Sequence, residues 1–367
     1  MTVLRALGLM SGTSMDGVDV ALIDTDGESG IHFGPHGSFP YSAADRIVLR
    51  GALADAVDLD HRDARPGGLA EAETLITDRH AEAVEAFLAA HDIAPASIAM
   101  VGFHGQTVLH RPEKNLTVQI GHGQDLAARL GIAVAWDFRA DDVAGHGQGA
   151  PLVPVYHRAL ADQARLGGPL VVINIGGVAN LSFIAHGRDP IACDTGPGNA
   201  LLDDLVLERT GQPFDRDGML SSAGSVDEVA LAALLDHPFF ALPAPKSLDR
   251  NAFSLDAVAG LATVDAAATL AAFTAASIVL AVEAMPELPE RAIVCGGGGH
   301  NPAIMEALAA RLPCRLVSAT DMGWSIDAME AQAFAYLAVR RSKNLPITFP
   351  GTTGIAAPLT GGRISLP

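Results

Sequence analysis

Three short runs in this chain place small residues, hydroxyls and carboxylates at the ends of apolar stretches. The first is Ser11-Gly12-Thr13-Ser14-Met15-Asp16-Gly17-Val18-Asp19, flanked by apolar runs that begin at Val3 and close at Ile23. It predicts a hairpin in which Gly12 and Gly17 take left-handed backbone angles and the hydroxyls of Ser11, Thr13 and Ser14 join free N–H groups in a cradle for phosphate oxygens. A P-loop would carry a lysine and run into a helix. Here there is no lysine, and Val18, Val20, Leu22 and Ile23 alternate like a strand. The same run also fits an ordinary surface hairpin rich in Ser and Gly, so its meaning depends on the other two.

The second run, Asp194-Thr195-Gly196-Pro197-Gly198-Asn199, follows a predicted strand at 191–193 and precedes a predicted helix at 200–209. Asp194 therefore stands at a strand end facing a helix N-terminus, a place where a carboxylate can also serve as a helix cap. The third, Gly296-Gly297-Gly298-Gly299, links a strand at 291–295 to a helix opened by Pro302. Small residues there would let a flat ring or a phosphate lie against the backbone, and a tight strand-to-helix turn would use them equally well. Gly176 and Gly177 separate two further strands, at 170–175 and 178–184. His104 and Gln106 follow a short buried strand at 98–103, and Asp137 and Arg139 follow another at 132–136. Ligands gather at such strand ends in α/β sheets.

The elements that must hold these residues read as an α/β chain. A third strand at 31–41 completes a meander with the first hairpin, and apolar residues at helical spacing predict a long helix over 69–91. The stretch 265–285 reads as a buried Ala-rich helix, not a membrane span, because alanine contributes little transfer energy in lipid. A helix is expected over 325–340, opened by Ser325, and an irregular tail after Leu345. At 367 residues two domains sharing a cleft are expected. The glycine-rich crossing at 144–151 marks the junction, giving one domain from 1–138 with 325–367 and another from 139–324. The strand, glycine turn and strand recurring in each half suggest duplication.

Apolar residues make up 49% of the chain and charged ones 18%, a globular composition. The net charge of −18, without a Lys/Arg cluster, argues against nucleic-acid and membrane partners. Cys193, Cys295 and Cys314 lack metal-site spacing, which fits a reducing compartment. The N-terminus does not read as a signal peptide.

Taken in order, the glycine turns at Gly12, Gly176 and Gly296 look like the phosphate-1, phosphate-2 and adenosine motifs of the actin, heat-shock-70 and sugar-kinase superfamily. More narrowly, GLMSGTSMDGVDVAL, FHGQTVLH, DFRADDVAGHGQGAPLVP, NIGGVANLS, DTGPGNALLD and CGGGGHN resemble the anhydro-N-acetylmuramic acid kinase family over nearly the whole chain. The resemblance implies a two-domain actin-like (ribonuclease-H-like) ATPase fold with a central cleft. It implies a cytoplasmic, homodimeric enzyme that uses ATP and Mg²⁺ on a small amino sugar. That enzyme hydrolyses the 1,6-anhydro bridge of 1,6-anhydro-N-acetylmuramic acid and phosphorylates O6 in cell-wall recycling. Carried over by motif, residues from Ser11 to Asp19 would bind the ATP phosphates, Gly176, Gly177 and Asn180 the second phosphate turn, and Gly296 to Gly299 the adenosine. Asp194 would be the catalytic base and Glu330 a second carboxylate, unless Glu330 is a solvated helix charge. His104, Gln106, Asp137, Arg139, Gly198 and Asn199 would line the sugar side. Arg139 could pair with the lactyl carboxylate or with Asp141 or Asp142, and His104 could bond the sugar or be a satisfied core histidine.

Two departures stand out. The superfamily's D-x-G-T is Met10-Ser11-Gly12-Thr13 here, which leaves Asp16, Asp19 and Asp194 as candidate Mg²⁺ ligands. PKSLDRN replaces the expected P-K-S-T-G-R-E, so that Lys246, Ser247 and Arg250 remain but the following pattern changes. The competing readings are another sugar kinase or phosphatase of the superfamily, or a non-enzymatic ATP-driven switch.

Overall fold

A computed structural model of the chain describes residues 2–12 and 14–367, so Thr13 of the first turn lies outside the described residues. The chain divides into two compact units, Met1–Leu166 with Ala328–Pro367, and Gly167–Asp327. The expected junction at 144–151 falls inside the first unit, because α5 belongs to it and the chain leaves only after Leu166.

In the first unit the chain runs β1 (Leu4–Met10), β2 (Gly17–Thr25), β3 (Ile31–Pro40), α1 (Ala43–Ala56), α2 (Leu69–Ala90), β4 (Met100–Phe103), β5 (Gln106–Arg111), β6 (Leu116–Ile120), α3 (Gly123–Leu130), β7 (Val134–Trp136), α4 (Ala140–Ala144) and α5 (Pro154–Gln163). The second unit holds β8 (Leu170–Ile175), β9 (Val178–Ile184), β10 (Ile191–Pro197), α6 (Ala200–Thr210), α7 (Glu228–Leu235), α8 (Thr263–Glu283), β11 (Arg291–Cys295), α9 (Pro302–Arg311) and β12 (Arg315–Ser318). The return adds α10 (Met329–Ser342), α11 (Pro350–Thr353) and β13 (Arg363–Ser365) to the first unit. Two expectations need correction. The last long helix starts at Met329 rather than Ser325, with Ala328 at its N-cap. The tail is not irregular throughout, since β13 pairs antiparallel with β7.

The two sheets repeat one plan. In the first, β3, β2 and β1 form an antiparallel meander, and β4 and β7 follow parallel to β1. In the second, β10, β9 and β8 form the meander, and β11 and β12 follow parallel to β8. Each unit thus has the strand order 3-2-1-4-5 with its second strand reversed, the ribonuclease-H-like arrangement of actin-like ATPases. The carboxyl ends of the parallel strands carry the candidate residues in both.

Alternation along β1 decides how the first sheet is covered. Leu7 and Leu9 enter a core with Ile76, Val84 and Phe87 of α2, while Gly8 faces α10. A Cβ at Gly8 would collide with the Ala331 carbonyl, and one at Gly102 of β4 with the Phe334 carbonyl. In the second unit α8 is long and apolar enough to cross a membrane, but most of it is buried among β9, β10, α6 and α9. Its hydroxyls are satisfied within the unit: Thr269 Oγ1 donates to the Asp265 carbonyl at 2.7 Å and Thr274 Oγ1 to the Gly198 carbonyl at 2.9 Å.

Gly8→Val is expected to cost at least about 3 kcal/mol, because the added atoms meet helix backbone that cannot rotate away. Gly51→Ala, on the exposed side of α1 with open space around its Cβ, should instead gain about 0.5–1 kcal/mol. Urea unfolding of the two variants reads both signs.

Candidate active site

The first turn is held by a small polar network. Ser11 Oγ donates to Gln106 Oε1 at 2.7 Å and lies 2.9 Å from the Tyr41 hydroxyl, and Gln106 Nε2 donates to the Gly12 carbonyl at 3.1 Å. Gln106 therefore spends both ends of its amide on the turn. The left-handed residue there is Met15, with φ 55°, and neither Gly12 nor Gly17 has positive φ. Gly17 is needed because a Cβ would collide with the Phe39 carbonyl. At Gly12 a Cβ would meet only Ser14, at 3.6 Å. Met15 and Val18 send their side chains into the core, Ser14 and Asp16 are exposed, and Asp19 is half-buried.

At the ends of β4 and β7 the structure brings His104 and Arg139 together, with Glu330 in the field of Arg139. The His104 ring lies 4.7 Å from that of Phe334 on α10, and Phe138 lies 5.6 Å from the same ring. Arg139 donates from Nη2 to His104 Nε2 at 3.0 Å and from Nη1 to the Gly149 carbonyl at 2.7 Å. A guanidinium only donates, so His104 Nε2 carries no proton. Burial and the Arg139 charge hold His104 neutral, well below the ordinary histidine range. Burial in turn lowers Arg139 to about 10, against the attraction of Glu330 and Asp142.

The salt bridge of Arg139 with Asp141 or Asp142 does not form. Asp141 Oδ2 accepts from the Gly362 N–H at 2.9 Å, and Asp142 accepts from the Gly149 N–H and the Thr353 hydroxyl, each at 2.7 Å. Glu330, in the first turn of α10, is half-buried and not a fully solvated helix charge. Burial and Asp19 raise its carboxyl, while Arg139 opposes them.

Asp137 is differently employed from the expected sugar contact. Arg62 Nη2 lies 2.7 Å from both its oxygens and Arg363 Nε 3.2 Å from one. It is buried, with φ 58°, and ties the loop before α2 and strand β13 to the end of β7. Neither arginine carried a sequence signal.

In the second unit three turns converge. The Gly198 N–H donates to the Gly177 carbonyl at 2.9 Å, Asn199 N–H to the Gly176 carbonyl at 2.8 Å, and Ala200 N–H to the Gly177 carbonyl at 3.2 Å. The amides at the start of α6 are thus spent on the 176–177 turn, so Gly198 and Asn199, expected on the sugar side, have their main-chain N–H groups already paired. Gly296 has φ 82°, and a Cβ on it would press on the Ile175 carbonyl at 2.8 Å. Gly298 is closed off by Ile175, and Gly299 has only the Val294 side chain near, at 3.4 Å. Gly176, Gly177 and Gly297 are open, with no neighbour of their Cβ positions nearer than 3.6 Å.

Asp194 pairs in register with Asn180 at a bulge in β10. Its N–H donates to the Lys246 carbonyl at 2.9 Å, and its Oδ2 accepts from the Leu248 N–H at 2.7 Å. Burial pushes its carboxyl up to about 6, while the Leu248 N–H and the Lys246 ammonium hold it back. It caps no helix, since Asn199 is the N-cap of α6. The PKSLDRN loop, without a role in the sequence reading, is therefore the partner of Asp194.

Among the described residues no three Asp, Glu, His or Cys side chains gather as a metal cage. Mg²⁺ keeps several waters and takes only one or two carboxylates beside substrate phosphates, a demand that Asp16 and Asp19 on the first turn fit.

Gly12→Val is expected to melt within about 2 °C of the parent, because its Cβ has room. Gly296→Val should fall by roughly 5–10 °C for its left-handed angle and backbone contact. Differential scanning calorimetry checks the pair.

Relatives of known name match this chain over nearly its whole length. The anhydro-N-acetylmuramic acid kinase family model matches residues 4–366. A protein of that name from Rhodopseudomonas palustris (strain BisB18) is 57% identical over 365 residues, covering 99% of this chain and 100% of its own. Another of the same name, from Nitrobacter winogradskyi, is 55% identical with the same coverage. Among solved structures, component A of the (R)-2-hydroxyglutaryl-CoA dehydratase of Acidaminococcus fermentans is 10% identical, covering 93% of this chain and 99% of its own, with a TM-score of 0.48. The chain belongs to the anhydro-N-acetylmuramic acid kinase family.

Proposed function

We propose that this enzyme opens the anhydro bridge of 1,6-anhydro-N-acetylmuramic acid with water and transfers the γ-phosphoryl group of ATP to O6. The products are N-acetylmuramic acid 6-phosphate and ADP, within cell-wall recycling. The observation that carries the mechanism is the Asp194 carboxylate, oriented through one oxygen by the Leu248 N–H and raised by burial to about 6. Such a group is ionised at neutral pH yet basic enough to take a proton from water.

Water attacks the anomeric carbon as Asp194 takes its proton, and the C1–O6 bond breaks. The freed electron pair on O6 attacks the γ-phosphorus, and the bond to the bridging oxygen of ADP breaks. Phosphoryl transfer needs mainly positioning and charge neutralisation. Residues Ser11 to Asp19 hold the phosphates, with the open face of Gly12 as the point of closest backbone approach. Gly176, Gly177 and Asn180 form the second phosphate turn, and Gly296 to Gly299 lie against adenosine. Mg²⁺ would neutralise the phosphate oxygens there, held by Asp16 and Asp19 through water.

Arg139 donates to a neutral imidazole and a carbonyl, so its charge suits the lactyl carboxylate of the sugar. Glu330 is the second carboxylate of the reaction, beside Arg139. His104 orients the guanidinium, Gln106 braces the phosphate turn, Asp137 fixes the strand end, and Gly198 and Asn199 shape the turn after Asp194. The enzyme works in the cytoplasm, where ATP is available and its three cysteines stay free. It works as a homodimer, for which sedimentation should read twice the chain mass of 37.9 kDa.

Asp194→Asn keeps the shape but cannot accept a proton, so kcat should fall on the order of 10²–10⁴-fold. Sugar phosphate and ADP should vanish together in phosphorus NMR, and activity within a few-fold of the parent would overturn the assignment. Because the base acts as a carboxylate with a folded pKa of about 6, parent kcat/KM should be level above pH 7. It should decline as pH falls through about 6 and protonates the base.

A further inference from the structure

The loop from Pro245 to Arg250 touches Asp194 with its main chain at two points and is itself tied at both ends. Asp194 N–H donates to the Lys246 carbonyl at 2.9 Å, and the Leu248 N–H donates to Asp194 Oδ2 at 2.7 Å. At the near end, Lys246 Nζ donates to the Phe239 carbonyl at 3.0 Å and reaches the Phe240 carbonyl at 3.4 Å. The same ammonium stands 4.4 Å over the centre of the Phe239 ring. Phe239 is buried, which makes this a fixed anchor rather than a surface contact. At the far end, Arg250 Nη2 donates to Asp204 Oδ1 at 3.0 Å, on α6, the helix that follows Asp194 in the chain.

We propose that this loop is a positioning strap for the catalytic carboxylate, and that Lys246 is its principal anchor: it fixes Oδ2 on the Leu248 N–H and leaves Oδ1 to take the proton of the attacking water. The inference rests on Asp194 as the general base. It accounts for a departure in the sequence. The contacts to Asp194 come from main-chain atoms of residues 246 and 248, so leucine in place of the family's threonine at 248 preserves them. Lys246 and Arg250, whose side chains do the anchoring, keep the family's residue types. Lys246 acts through the loop and touches no reacting atom, so it is a positioning residue.

The strap predicts a particular kinetic signature. A misplacement of about 1 Å in a reacting group can cost on the order of 100-fold. Lys246→Gln, which keeps a donor for the Phe239 carbonyl but loses charge and reach, should lower kcat by roughly 10- to 100-fold. KM for ATP should stay within about twofold, because the phosphate turns are untouched. Lys246→Arg, which restores a cation that can reach both carbonyls, should recover most of the rate. Arg250→Gln, at the exposed end, should show a smaller loss of the same kind and carries the test if Lys246→Gln does not fold. The measurement is steady-state turnover with ATP and 1,6-anhydro-N-acetylmuramic acid, with Asp194→Asn assayed alongside. Parent kcat in Lys246→Gln, or in Arg250→Gln where that variant carries the test, overturns the strap. An equal rise of KM for ATP with kcat unchanged overturns it as well. An active Asp194→Asn instead overturns the assignment of the base, a different result from either.

Discussion

The site in the first unit depends on how closely α10 can approach its sheet. Gly8 on β1 and Gly102 on β4 leave the helix backbone resting where side chains would otherwise stand. That approach sets Phe334 against both the His104 and Phe138 rings and places Glu330 within the field of Arg139. The second unit solves the same problem independently. A Cβ at Gly196 would lie 2.6 Å from Ser277 Oγ of α8, and Thr274 of that helix donates to the Gly198 carbonyl. In each unit a glycine at a strand carries the helix in, and the helix fixes the residues at the strand's end.

Burial raises the carboxyls of two aspartates against different opposition. Asp137 rises although two arginines hold it back, and its negative charge is consumed in joining three segments. Asp194 has one main-chain N–H on its carboxylate and a lysine whose donors are directed elsewhere, so desolvation prevails and the carboxyl rises from 3.8 to about 6. A rise of that size is worth about 3 kcal/mol against the ionised folded state. Its folded pKa lies above its unfolded value. Stability from this group is therefore present below pH 4 and lost as pH rises through about 6.

Much of this was legible because it depends on short-range pattern. The β1–β2 hairpin, the 176–177 and 296–299 turns and α2 follow from periodicity and punctuation, whereas the strand expected to stop at 193 runs on through Asp194 to Pro197. The positive φ of the first turn was assigned to the wrong residues, since Met15 takes it with its side chain anchored in the core. Helix α1 carried a readable signal, the Ser42–Asp45 capping box. The partners of Asp137 were not legible. Arg62 is 75 residues away, and only the folded order of strands brings β13 beside β7. The expected salt bridge of Arg139 failed for a related reason: main-chain amides and Thr353 reach the neighbouring carboxylates first.

One strand order serves two kinds of turn, and the difference lies in what satisfies the backbone. After β1 the chain turns through hydroxyls and carboxylates, braced from outside by Gln106 and Tyr41, which keeps Gly12 uncovered. After β8 the turn is only Gly176 and Gly177, and its carbonyls take the amides that open α6. The helix start is thereby neutralised internally, and it ceases to be a general anion site. What β10 offers instead is Asp194, a buried carboxylate whose environment comes from a loop that neither periodicity nor glycine spacing marks. Topology fixes where the strand ends lie, and the hydrogen bonds made by each turn decide which main-chain and side-chain polar groups there are already spent and which stay open.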